Sequence, residues 1–160
     1  IEEHKDFSEA FQLKLAGKLS EELLSTIQSY NLKNHINLLG YITHESAFKE
    51  MKSAQLLLLI EIDSDETKGI IAGKVFEYLL AKRPILAIGP KNWDVSKIIN
   101  DTTSGKVFHY EEKDILKHYI FSAFQDYKNG MLHINSTNIE QFSRKQLTQQ
   151  LSEVILKVTT

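Results

Sequence analysis

Short apolar runs of strand length alternate with segments of helical periodicity, and this alternation restricts the fold more than any other feature. Strands are predicted at Gln12–Ala16, Ile36–Leu39, Leu56–Ile60, Ile85–Ile88 and Lys106–His109. Strands separated by helices are joined by crossovers, which make them parallel and place helices on both faces of the sheet. The sequence therefore predicts an α/β fold with one doubly wound sheet of about five strands. The near-continuous apolarity of Leu56–Ile60 predicts the central strand, buried on both faces.

The segments between the strands carry helix signals. Ser20 precedes the acidic pair Glu21 and Glu22, which predicts a helix start, because a helix N-terminus favours a capping hydroxyl and negative charge. Further helices are predicted at His44–Ser53, from about Ile71–Gly73 onward, and at Asp94–Asn100, Glu111–Lys128 and Phe142–Val158. Apolar residues repeat at helical spacing in the last of these, so it is expected to dock on the domain.

Length and composition bound the class of protein. A chain of 160 residues that is 42% hydrophobic predicts a single domain with one core over 1–160. The net charge of −2, with basic residues spread along the chain, argues against nucleic acid as a partner. No apolar run reaches the 18 residues of a membrane span. Zero cysteines exclude disulfides and thiolate metal sites and fit a cytoplasmic location.

The segment GIIAGKVFEYLLAKRPILAIGP, residues 69–90, joins a glycine-rich turn to a helix and the next strand. Ligands of parallel sheets bind at the carboxyl ends of strands, where helix N-termini point into a crevice. Backbone amides at a helix start bind anions, and glycine permits close approach. The amides predicted to bind phosphate belong to Gly69, Ile70, Ile71, Ala72, Gly73 and Lys74, and Lys74 adds a positive charge.

The helix that follows is predicted to bury Ala72, Val75, Phe76, Leu79 and Leu80. Glu77 lies roughly 130° from the centre of that face, and a carboxylate there can accept hydrogen bonds from two vicinal hydroxyls, as in ribose. Glycines also begin helices for conformational reasons, and an exposed Glu near a Lys is commonly just solvated. Spacing alone leaves both interpretations open. The segment is no Walker P-loop, because Lys68 replaces the first glycine and Val75 follows Lys74.

The segments INLLGYI, MKSAQLLLLIE and AGKVFEYLLAKRPILAI resemble the carboxyl-terminal half of GT-B fold glycosyltransferases of the glycogen-synthase type, glycosyl transferases group 1. The resemblance covers nearly the whole chain and implies a Rossmann-like domain that binds a nucleotide-sugar donor. It implies that Glu77 holds the donor ribose, as the second carboxylate of the family's Glu-x7-Glu element. Residues 69–74 would cradle the diphosphate, and Gly40, Tyr41 and Ile42 would contact the nucleobase.

The same resemblance implies that the first strand and an amino-terminal acceptor domain belong to a longer protein, of which this chain, opening without methionine, is a fragment. The full-length enzyme would transfer a sugar to a glycan or lipid-linked acceptor, in the cytoplasm or at the inner face of the membrane. Lys74 and the helix-start amides would stabilise the leaving diphosphate without a metal or cofactor. The fragment alone is expected to be inactive.

Two positions depart from the family pattern. The first carboxylate of the Glu-x7-Glu element would fall at Gly69, so its role is absent or supplied by Asp65 or Glu66. Lys82 stands where the family usually has glycine, at a helix end that often requires positive φ. That geometry costs a residue with a side chain about 1 kcal/mol.

Other candidates keep two interpretations. Lys18, after the first predicted strand, is placed either in an ordinary turn or beside the phosphates. Trp93 is expected to pack in the core rather than cover the crevice rim. The acidic loop of Glu61, Asp63, Asp65 and Glu66 lacks the spacing of a calcium loop, and no metal site is predicted. The alternative functions are a nucleotide-sugar epimerase of the same architecture and a non-catalytic, flavodoxin-like binding module.

Overall fold

The computed structural model describes residues 4–30 and 32–159. The helices are α1 (Lys5–Ala10), α2 (Glu21–Ser29), α3 (His44–Ser53), α4 (Lys74–Ala81), α5 (Asp94–Asp101), α6 (Lys113–Lys128) and α7 (Arg144–Thr159). The strands are β1 (Leu13–Ala16), β2 (Ile36–Gly40), β3 (Leu57–Ile60), β4 (Ile85–Gly89) and β5 (Gly105–His109). All five predicted strands are confirmed to within one residue at either end. The opening segment IEEHKDFSEAF, residues 1–11, is also predicted to be helical. The helix α1 lies within it, and residues 1–3 of the segment lie outside the described residues.

The fold is α/β, with parallel pairing in two separate sheets. β1 pairs with β2, and β3, β4 and β5 form a second sheet in that order. The chain correspondingly divides into two compact units, Ile1–Glu50 and Met51–Thr160. The prediction of one doubly wound sheet of about five strands is therefore not confirmed at that level of detail, and the single domain stays a prediction.

The first unit is organised around two short strands. Ser20 caps α2 as predicted, its hydroxyl oxygen accepting a hydrogen bond from the Leu23 amide at 3.2 Å. At the ends of β1 and β2 the chain turns through glycines with positive φ, Gly17 at 112° and Gly40 at 62°, and the Gly17 amide donates to the Gly40 carbonyl. No described residue of this unit is buried. A two-stranded sheet of this kind has little apolar burial to stabilise it.

The second unit contains the hydrophobic core, centred on β4. Ile85, Leu86 and Ala87 of this strand are buried, and its two neighbours pair with it on either side. The prediction that Leu56–Ile60 is the central strand is wrong for this sheet. β3 lies at its edge, where Ile60 is exposed. An apolar run indicates that a strand is buried. The position of that strand in the sheet depends instead on which other strands pair with it.

The buried face of α4 differs from the predicted one. Val75 and Leu79 are buried as predicted, but Leu80 is 63% exposed, and Tyr78 takes its place in the core. The Tyr78 hydroxyl donates to the carbonyl oxygen of Leu58 at 3.1 Å. This hydrogen bond satisfies the polar end of a buried ring, so an aromatic residue with a hydroxyl is accommodated where periodicity favoured leucine.

The terminal helix forms as predicted but does not dock as predicted. Apolar residues along the length of α7 are exposed: Leu147, Leu151, Val154, Ile155 and Val158. Helical periodicity shows which residues of a helix share an apolar face. It does not show whether another part of the protein packs against that face. Within residues 4–30 and 32–159, no helix combines the length and apolarity that crossing a bilayer requires.

Lys82 ends α4 in the left-handed region, with φ 54° and ψ 45°, as its place at a helix end suggested. We expect Lys82→Gly to raise the free energy of unfolding by about 1 kcal/mol, because glycine adopts this conformation without a side-chain clash. Urea denaturation of the full chain measures the change. Lys82→Ala is the matched control: it removes the charge but keeps Cβ, so it should give no gain. Equal effects of the two variants would contradict a backbone origin.

Candidate functional site

The connection from β3 to α4, residues 61–73, is held by short-range hydrogen bonds. The Ser64 hydroxyl oxygen accepts from the Glu66 amide and begins a 3₁₀ turn at Asp65–Thr67. The Thr67 hydroxyl donates to the carbonyl of Ile62 at 2.6 Å, and the Ile70 amide donates to the carbonyl of Thr67 at 2.9 Å. The connection is therefore an ordered turn that leads into residues 68–74, which we call the glycine segment.

The helix start is three residues later than the earliest predicted position. Gly73 has helical φ and ψ, and α4 begins at Lys74. The amides of Val75 and Phe76 donate to the carbonyls of Ala72 and Gly73, so they are already occupied.

The predicted anion-binding amides thus fall into two groups. The Ile70 amide is taken by Thr67 and cannot also bind a phosphate. Across the part of the chain that the structure describes, the remaining amides donate no backbone hydrogen bond: those of Gly69, Ile71, Ala72, Gly73 and Lys74. Five of the six predicted donors are consequently still able to bind a ligand.

Neither glycine of the segment is required by its backbone conformation. Gly69 and Gly73 both lie outside the positive-φ region, and a Cβ on Gly73 would meet no atom within 4 Å. A Cβ on Gly69 would lie 3.9 Å from Oδ2 of Asp94, so this end of the segment carries a nearby negative charge. An anion is therefore favoured near Gly73 and Lys74 rather than near Gly69.

Glu77 lies on α4, one turn from the helix start, and is partly exposed. It is separated from the buried face that Val75, Tyr78 and Leu79 form. Burial raises the pKa of the Tyr78 hydroxyl, and the negative charge of Glu77 raises it further. The Glu77 carboxylate therefore acts on the solvent-facing side of α4, near enough to Tyr78 to influence it.

A cavity of about 350 Å³ lies at the carboxyl ends of β3, β4 and β5. Two ion pairs face it: Lys68 with Asp65 at 2.5 Å, and Lys91 with Glu111 at 2.6 Å. Each lysine lowers the pKa of its partner carboxyl through a hydrogen bond. Asp65 contributes to the lining, as one of the two acids suggested to replace the missing carboxylate at Gly69.

Sequence reasoning missed Lys91, Tyr110 and Glu111 in this lining. Each of them follows the end of a strand by one or two residues. The carboxyl ends of parallel strands lie at one edge of the sheet, so this position in the sequence could have identified them as lining residues. The Tyr110 hydroxyl donates to the carbonyl of Glu61 at 2.8 Å, which joins the β5 end to the β3 end. Within the described residues, no group of three or more His, Asp or Glu side chains is arranged to hold a metal ion.

The remaining predicted residues belong to the first unit. Tyr41 follows β2 and is 86% exposed, so the packing explanation for an aromatic residue at this strand end does not apply within its unit. Gly17 has a φ of 112°, which explains the glycine before Lys18 by turn geometry alone. The roles of Lys18 and of Gly40, Tyr41 and Ile42 toward a nucleotide stay predictions.

Comparison with known proteins assigns no family to the chain. No family model matches it, and no curated protein matches it significantly. The resemblance to GT-B glycosyltransferases therefore depends on the segments INLLGYI, MKSAQLLLLIE and AGKVFEYLLAKRPILAI alone.

The raised pKa of Tyr78 predicts a fall in stability at high pH. The unfolded chain loses this proton near the ordinary pKa of about 10, while the folded chain retains it, so the unfolded state binds fewer protons and is stabilised relative to the folded state as the pH rises. We expect the free energy of unfolding to fall between pH 9 and 11, and to fall less in Tyr78→Phe. Urea denaturation of both proteins at pH 7, 9, 10 and 11 measures the slope. Identical slopes would contradict the assignment.

Proposed function

We propose that this chain is the nucleotide-sugar donor-binding domain of a glycosyltransferase. Its fold would be the Rossmann-like, doubly wound carboxyl-terminal half of a GT-B architecture, and the two parallel sheets support this class of fold. The observation that carries the proposal is the glycine segment before α4. Among the residues that the structure describes, its amides from Ile71 to Lys74 have no backbone acceptor, and Glu77 follows within one turn.

The diphosphate of the donor would bind at the start of α4. Backbone amides without acceptors, the positive end of the helix dipole and the Lys74 ammonium group all favour a negative charge there. Gly73 leaves space for close approach, since a Cβ at this position would meet no neighbouring atom. The same groups would stabilise the charge that develops on the departing nucleoside diphosphate, which is the contribution that glycosyl transfer requires of this domain.

The ribose would bind to Glu77. A carboxylate can accept two hydrogen bonds from the vicinal hydroxyls of a ribose, and bonds to a charged acceptor are stronger than neutral ones. Glu77 lies off the buried face of α4 and is partly exposed, so a ligand can approach it from solvent. Its position about one turn after Gly73 fits the distance between a diphosphate and the ribose to which it is attached.

The sugar moiety would occupy the strand-end cavity, with Asp65 in place of the carboxylate missing at Gly69. The roles of Gly40, Tyr41 and Ile42 toward the nucleobase and of Lys18 toward the phosphates are proposed from the sequence resemblance alone. The acceptor would bind to a separate domain of the full-length enzyme. That enzyme would act in the cytoplasm or at the inner face of the cell membrane. The fragment would bind nucleotide weakly and transfer no sugar.

Titration of the full chain with UDP, GDP and ADP, followed by amide NMR, tests this proposal. We expect signals of residues 69–78 to shift with at least one nucleotide, and Glu77→Ala to weaken binding about tenfold, because a charged hydrogen bond is lost. Asp114→Ala is the matched control, since it removes an acid from the first turn of α6 instead. Shifts confined to other regions, or equal effects of the two variants, would refute the site.

Gly73→Ala separates binding from folding. The backbone at residue 73 is helical and the space around it is open, so we expect the free energy of unfolding to change by no more than about 0.5 kcal/mol. The added methyl group would nevertheless obstruct a diphosphate on the amides, and nucleotide affinity should fall. Unchanged affinity in a normally folded variant would place the anion elsewhere.

A further inference from the structure

Trp93 connects the start of α5 to the glycine segment, and we propose that it is the positioning residue that holds this segment in the conformation required for binding. It would act through the backbone of residues 68–70 and would not touch the ligand itself. This inference rests on the proposed function, because it names what prepares the same site.

The indole ring of Trp93 is fixed in the core of the second unit. The residue is 2% exposed, although it precedes a helix in a connecting segment. Its ring lies directly over Gly89: a Cβ at that position would come within 2.5 Å of the ring atom Cε3. No residue with a side chain fits beneath the ring, so the glycine at the end of β4 determines where the indole lies. The prediction of core packing for Trp93 is confirmed.

The polar edge of this buried ring binds the glycine segment. Nε1–H of Trp93 donates to the carbonyl oxygen of Ile70 at 2.8 Å. The amide of the next residue, Asp94, donates to the carbonyl oxygen of Lys68 at 2.9 Å. Two consecutive residues therefore hold two carbonyls of the segment, and the peptide units at residues 68–70 are tied to α5 at both ends.

The segment has little else to hold it. Ile70 and Ile71 are 46% and 43% exposed, so burial of its own side chains contributes little. Its internal hydrogen bond, from the Ile70 amide to Thr67, closes the turn but does not attach it to the sheet. Backbone amides bind an anion tightly when their N–H groups are directed at the same point before the anion arrives. If they become ordered only during binding, the entropy cost lowers the affinity. The bond from Trp93 supplies that attachment.

A core residue without this role would also destabilise the protein when replaced, so a matched variant is needed. Trp93→Phe keeps an aromatic ring but deletes the donor to Ile70. Tyr78→Phe deletes a donor from another buried aromatic residue of the same unit, the one that binds the carbonyl of Leu58. Both variants lose one hydrogen bond to a backbone carbonyl, but only the first loses a bond to the segment.

Amide hydrogen exchange and nucleotide titration of the full chain distinguish the two roles. In Trp93→Phe we expect exchange at Ile70, relative to core amides, to be about fivefold faster, and the affinity for the best-bound of UDP, GDP and ADP to be about fivefold weaker. In Tyr78→Phe both quantities should equal those of the original protein. Equal exchange at Ile70 in the two variants would overturn the proposal.

A measurement on the unaltered protein covers the case in which Trp93→Phe does not fold. Trp93 is the only tryptophan, so its indole N–H gives a single NMR signal, expected to exchange slowly and to shift when nucleotide binds. Rapid indole exchange, or no shift upon nucleotide binding, would overturn the proposal. Faster Ile70 exchange in Trp93→Phe, together with no binding of any nucleotide by the original protein, would support the attachment by Trp93 and refute the proposed function.

Discussion

The burial of β4 between two parallel neighbours determines where every candidate group of the second unit lies. Ile85 and Ala87 are fully enclosed, and the strand pairs in register with β3 on one side and β5 on the other. Parallel pairing brings the three carboxyl ends to one edge. The glycine segment, the turn before Trp93 and the residues after β5 are therefore neighbours, although up to about 40 residues separate them along the chain.

In this unit, the residues that form the buried core are different from those that expose backbone amides. Val75 and Leu79 of α4 and Val95 and Ile99 of α5 are buried in the core of this unit. The segment between β3 and α4 is instead held by hydrogen bonds from Thr67, Trp93 and Asp94. Such a segment can present backbone amides to solvent while its path stays defined, which is what a binding loop on a rigid scaffold requires.

The charges at this edge favour recognition by amides over recognition by free cations. Lys68 and Lys91 are each paired with a carboxylate, and Asp94 lies beside Gly69. A bound diphosphate would therefore be stabilised mainly by the helix-start amides, with Lys74 at the same end of α4. Backbone donors keep their positions without the side-chain entropy cost that a lysine incurs, so this arrangement suits a binding site built before the ligand arrives.

Sequence alone determined the elements of this protein, and tertiary structure decided their roles. Five strands, the Ser20 cap and the strained helix end at Lys82 follow from neighbours within a few residues, so local patterns identify them. Local patterns did not show that β4 rather than β3 is the central strand of its sheet, nor that Tyr78 replaces Leu80 in the core. For the site, the glycine segment and Glu77 could be proposed from spacing, but the capture of the Ile70 carbonyl by Trp93 could not. That contact joins residues 23 apart, and such partners are chosen by strand pairing and packing, which no periodicity within a short window encodes.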